Sequence, residues 1–237
     1  MKKHLLFEKK MNPKNWREGA FKFMLIAGIQ WFIFSTLAMI FYAGGTYINH
    51  IAPGYSFWAN FFSDAGRTKG YNGKSNIVSC ILWNTTLSIV GVSLIFFAIA
   101  LQGFFTKAKT EKYLSILGSI SGVFAGIFFI GLALTPLDIY TEEHIMLYRP
   151  AFLSSFLMAV FYTIVILLNK SYLNRYALIF LAFAIILVFY IIFLFSGVSI
   201  ETTEGLTMHA TSQKIVAYVL LISFLIEGYG AWKFEKS

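Results

Sequence analysis

Residues Tyr55 to Ser88 read YSFWANFFSDAGRTKGYNGKSNIVSCILWNTTLS, a polar, glycine-punctuated loop running straight into an apolar helix. In the helical part the polar side chains fall four apart: Asn76, Cys80, Asn84 and Ser88. Residues at i and i+4 are neighbours on a helix, so these four share one face. An apolar helix of this length belongs in lipid, where a buried Asn must find a partner, so the face must look at other helices or into a cavity. The fold follows from that requirement: five more apolar helices are needed to surround this one.

The rest of the chain supplies them. Of its 237 residues 58% are hydrophobic and 13% charged, against about 45–50% and 25% in soluble domains. Cys80 is the only cysteine, which excludes an intramolecular disulfide and a cysteine-based zinc site. The net charge of +8 sits beside apolar spans, where basic residues set topology and meet anionic headgroups, and is not gathered into a nucleic-acid surface.

Residues 1–20 form a basic tail, and residues 21–232 a single six-helix domain. Helices are expected at about 21–42, 77–102, 113–134, 150–168, 176–195 and 215–232, each near the ~20 residues a bilayer requires. The first apolar run is full length, so it reads as a spanning helix, not a cleaved leader. Its Gln30 is the one strongly polar mid-span residue and reads as an interhelical hydrogen-bond donor. Residues 44–75 form the longest connection, with a short interfacial helix expected over Ser56–Phe62 and turns at Asp64-Ala65-Gly66 and Gly70-Tyr71-Asn72-Gly73. Gly118, Gly122 and Gly126, four apart, mark the third span as a close-packing helix. The fifth span is almost free of polar residues and is expected to face lipid. Glu227, near the end of the last span, reads as a snorkelling or capping residue.

The tail, the loop near Lys107, the Lys170–Arg175 turn and the C-terminus are basic, while the other three loops hold most of the acids. The positive-inside rule then puts both termini in the cytoplasm. It also gathers Asp64, Asp138, His144, Glu201 and His209 on one outer side. Carboxylates and imidazoles above a membrane cavity can bind a headgroup or a metal. One arrangement takes Asp138, His144 and His209 as ligands of a divalent metal such as zinc, whose bound water would cleave a lipid. No HExxH, HxxxH or CxxC fixes such a set. The same acids would equally make a solvated loop surface, or pair Asp64 or Asp138 with Arg149 or Lys214 to lock the loops. GxSxG, P-loop and GxGxxG motifs are absent, which disfavours nucleotide-driven pumping.

The order Ser56, Asn60, Ser63, Asp64, Gly66 (SxxxNxxSDxG), then Asn76, Asn84, a glycine-rich third span, Pro136-x-Asp138 and His144 resembles a known pattern. It is similar to the six-helix prokaryotic membrane family catalogued as domain of unknown function 998, and more distantly to the DRAM-like membrane proteins. The resemblance covers roughly residues 20 to 232 and implies architecture, with Asp64, Asn84, Asp138 and His144 at the matching polar positions. It carries no settled activity.

The expectation is therefore an all-α, polytopic protein of a prokaryotic cell membrane, six spans, both termini inside. Its outer mouth would use Asp64, Asn84, Asp138, His144 and His209 to bind a membrane lipid or small amphiphile. A metal-dependent lipid hydrolase on the same residues is the alternative, and a small-solute transporter the third.

Overall fold

The computed structural model describes residues 13–236, all helix and connecting loop apart from one isolated bridge between Lys69 and Ser75. The helices are α1 Pro13–Ile40, α2 Phe62–Ala65, α3 Ile77–Gln102, α4 Lys109–Leu134, α5 Thr141–Leu168, α6 Asn174–Leu194 and α7 Thr203–Lys236. All but α2 are long and apolar enough to cross a membrane, the architecture of a multi-pass integral membrane protein. Their outward surfaces carry Ile29, Ile33, Ile81, Phe124, Leu178 and Phe189, an apolar coat that only a lipid solvent tolerates. On α6, Leu178, Leu181, Ile185 and Phe189 make the lipid-facing stripe that its composition predicts.

The long helices pack in the cyclic order α1–α3–α4–α5–α6–α7 and back to α1, a closed ring. Two features hold the ring shut. At the α3–α4 crossing Gly91 and Gly126 face each other so closely that a Cβ on either would come within about 2.6 Å of the other's carbonyl oxygen. At the α1–α7 seam Arg17 pairs with Glu235 at 2.9 Å, and Glu18 receives Lys22 and Lys236. Gln30 donates to Thr86 Oγ1 at 3.0 Å, the expected α1–α3 bond.

The half of the ring nearest the termini is solid. Phe224 of α7 meets Phe97, Phe180 and Phe183 with centroids 5.8, 6.3 and 6.0 Å away, and Tyr162 stacks on Phe180. Aromatic edges and faces at such distances fill space with little void. The opposite half is covered by residues 41–76, a cap of turns around the single turn of α2.

Helix limits differ from the sequence expectation in an informative way. The basic tail lies outside the described residues up to position 12, but α1 already begins at Pro13, where proline's fixed φ suits a first turn. Polar segments read as loops, Thr141–Arg149 and Thr203–Lys214, are the first turns of α5 and α7. His144, Gln213 and Lys214 within them are buried, so helix continues where hydropathy alone ends it. Pro150 consequently lies inside α5, which neighbouring helices tolerate in a membrane bundle. The short helix of the cap is also displaced. Ser56 to Asn60 is a turn in which the Ser56 carbonyl accepts from Ala59 and Asn60, and α2 starts at Phe62. Glu227 neither snorkels nor caps: it is fully buried, with no hydrogen-bond partner on either carboxylate oxygen.

Candidate functional site

The cap owes its shape to three side chains that accept or donate several bonds each. Asn76 accepts from the Ala43 amide at 2.9 Å and donates to the carbonyls of Ala65 and Arg67 at 3.2 and 2.8 Å. Asp138, from the α4–α5 loop, takes the Thr68 amide at 2.9 Å, the Thr68 hydroxyl at 2.6 Å and the Lys69 amide at 3.0 Å. Asp64 reaches back to the Phe61 amide at 2.8 Å, as an N3 residue does in a capping box, and takes Asn60 Nδ2 at 3.0 Å. At the start of the cap, Gly44 and Gly45 hold positive φ of 115° and 86°, which only glycine adopts freely.

The two aspartates respond oppositely to these surroundings. Burial works to raise the Asp138 pKa, but the Thr68 hydroxyl and the Thr68 and Lys69 amides outweigh it and hold the carboxyl below its ordinary range. Asp64 is wholly buried, and burial lifts its pKa above the ordinary range against the bonds from Asn60 and Phe61 and the charge of Arg67. A folded pKa above the unfolded one favours folding fully at low pH and loses that advantage as pH rises through the folded value. Asp64→Asn cannot ionise, so its unfolding temperature relative to wild type should climb as pH is taken upward from about 4. Thermal unfolding of detergent-solubilised protein across pH checks this, and a difference flat with pH would count against it.

From below, α7 fastens the cap. Gln213 Oε1 accepts the Phe62 amide at 2.9 Å. Lys214, almost fully buried, donates to the carbonyls of Asn60 and Ala210, and its ammonium lies 5.2–5.5 Å from the ring centres of Tyr55, Phe57 and Phe62.

Beneath and beside this cap lies a cavity of about 860 Å³ among the cap, α5, α6 and α7. Ser63, His144, Tyr148, Phe152 and Gln213 also line a smaller inner space of about 70 Å³, which runs into the ring between Trp31, Trp83, Phe129 and Ala217. The small space is thus the inner end of the large one. Its walls are apolar, as are Leu137, Leu153, Ile191, Leu194 and Phe195 around the outer space. The polar lining of the outer space is Arg67, Arg149, His209, Tyr47 and Tyr71 besides the shared residues. A hydrogen bond between the Tyr148 and Tyr190 hydroxyls ties α5 to α6 across one wall.

Of the five residues the sequence singles out, His144 and His209 line the cavity and the other three do not. His144 Nδ1 lies 2.7 Å from the Thr135 carbonyl, so it donates there and leaves Nε2 as the free ring nitrogen. His209 Nε2 lies 2.9 Å from the Val198 carbonyl, and its ring packs on Phe193. Asp64 and Asp138 belong to the cap. Asn84 sits beneath it, donating to Gly66 O at 3.5 Å and Cys80 Sγ at 3.3 Å. Asp138, His144 and His209 do not converge: among the described residues no three His, Cys, Asp or Glu side chains meet closely enough to hold a metal ion. Nor do the expected locking salt bridges form: Asp138 bonds the Thr68 and Lys69 amides and the Thr68 hydroxyl, and Asp64 Oδ2 bonds Asn60 and Phe61 while its Oδ1 is buried without a hydrogen-bond partner.

The residues that sequence reading missed are Arg67 and Arg149. Each lies within or beside a segment that the hydropathy pattern reads as a loop, and the sequence holds no signal that would have set them apart from other loop cations. Compared with known proteins, the chain matches no family model, no curated sequence and no solved structure.

Proposed function

We propose that this protein binds a membrane lipid or similar amphiphile at its capped end, which faces away from the cytoplasm. The observation that carries the reading is the shape of the cavity. About 860 Å³ of space falls within the 300–1,000 Å³ typical of ligand pockets, and it grades from polar residues under the cap to an apolar inner end. An amphiphile has the same grading. The aromatic packing around Phe224 in the half nearest the termini supports binding over passage.

The polar positions behind the resemblance to the family of unknown function act, on this reading, as fasteners that keep the cap above its ligand. The metal-dependent hydrolase alternative has no observation in its favour, since it would require Asp138 to abandon three hydrogen bonds.

Lipid extraction and mass spectrometry of the purified protein should find about one amphiphile retained per chain through detergent exchange. Ala217→Phe places a ring in the inner end of the cavity. It should cut retention roughly tenfold and leave the thermal unfolding of the bundle within a few degrees, as filling a void does where space exists. Retention unchanged by Ala217→Phe, or no amphiphile in any detergent, would sink the reading.

A further inference from the structure

We propose that the cavity is selective for an anionic phospholipid, whose phosphate is held between Arg67 and Arg149. The inference rests on the amphiphile reading and gives it a chemical class.

Arg67 belongs to the cap and Arg149 to α5, and both line the same cavity. Arg149 lies about 12 Å along α5 from Thr141, counting 1.5 Å per residue, on a helix long and apolar enough to cross a membrane. No carboxylate lies within ion-pair distance of either guanidinium: every ion pair among the described residues is at the other end of the bundle. Arg67 packs its guanidinium 4.1 Å from the Tyr71 ring centre and gives Nε to the Lys69 carbonyl, which fixes the side chain and leaves its terminal nitrogens without an acceptor. Arg149 has no bound partner.

The cavity lining contains no acid to balance them. Glu142 and Glu143 stand exposed on the first turn of α5 and take no part in the lining, and Asp64, though near enough to feel the Arg67 charge, is wholly buried outside the lining and not ion-paired to it. Arg149 is exposed on the cavity side of α5 and has no intramolecular counter-charge, so a ligand that brings one is its fitting partner. Two guanidinium forks from different directions suit a tetrahedral phosphate, which offers oxygens on several sides; one fork already satisfies a planar carboxylate. Tyr47 adds a hydroxyl to the same rim, and the apolar walls receive acyl chain. A zwitterionic lipid would carry its own cation into this field and be repelled.

Native mass spectrometry of the full chain in detergent, titrated with phosphatidic acid and with phosphatidylcholine of identical acyl chains, tests the inference. Phosphatidic acid should bind at least roughly tenfold more tightly, about what one charged hydrogen bond supplies. Arg149→Gln should abolish most of that preference with no change in thermal unfolding, because Arg149 has no intramolecular partner to lose. Arg67→Gln should reduce it as well. Equal binding of the two lipids by wild type would overturn the phosphate assignment while the amphiphile reading stands. Failure of both lipids to bind would overturn the two together. Displacement of bound phosphatidic acid by millimolar inorganic phosphate would overturn the lipid assignment in favour of a free anion.

Discussion

Gly126→Ala should destabilise the protein by about 2–3 kcal/mol. Alanine is the better helix former by about 1 kcal/mol, so intrinsic propensity points the other way. Packing overrides it. The added Cβ would meet the Gly91 carbonyl oxygen at 2.5 Å, and Gly91 is backbone in a helix, with no rotamer through which to yield. The α3 and α4 axes must separate, which costs what overpacking of a tight core costs, about 1–3 kcal/mol and at times more. Gly91→Ala should behave alike, since its Cβ meets Gly126 O at 2.6 Å. Gly19→Ala is the control: nothing lies within 4 Å of its Cβ, and it should stabilise by about 0.5–1 kcal/mol. Unfolding temperatures of the three variants in one detergent decide the matter, and a Gly126→Ala protein as stable as Gly19→Ala would show that the crossing is looser than described.

Asp138→Ala should cost about 2–3 kcal/mol of stability and open the cap. Three donors lose a charged acceptor at once, and hydrogen bonds to charged groups contribute about 1.5–3 kcal/mol each, reduced here because the carboxyl is only half-buried. The pH dependence follows from the depressed pKa of Asp138. A carboxyl whose folded pKa is below its unfolded value contributes fully above the unfolded pKa, about 3.9, and loses that contribution as pH falls through the folded value. Wild type should therefore lose cap protection, read by hydrogen exchange at residues 66–70, as pH drops below about 4. Asp138→Ala should show weak protection at neutral pH already, with no further loss from this source. Strong protection of Thr68 and Lys69 in the variant would refute the clamp.

Much of the architecture was legible because lipid imposes a simple rule. Long apolar runs must be helices, and the glycine spacing on α4 announces a close neighbour. The Asn face of α3 was legible too, since Asn76 and Asn84 had to find partners and found them in Ala65, Arg67 and Gly66. What hydropathy could not convey was where helices end under a cap. Gln213 and Lys214 are polar because they touch the cap, not because they lie in water, and the sequence offers no mark of that difference. The site was half legible for a related reason. Topology placed acids and histidines on one end of the bundle, but only tertiary packing separates the carboxylates that hold the cap from the histidines that line the cavity. Asp138 reads like a metal ligand and acts as a clasp for two backbone amides. Arg149 reads like a loop cation, and its significance depends on α5 beginning nine residues earlier than its hydropathy suggests.

The ring of six helices, hollow under its cap and solid toward the termini, has an electrical meaning as well. A transmembrane voltage falls across whatever resists ions. Here the aromatic layer around Phe224, Phe97 and Phe180 packs the half nearest the termini and opposes the passage of ions. A cell could hold many copies of such a protein without leak.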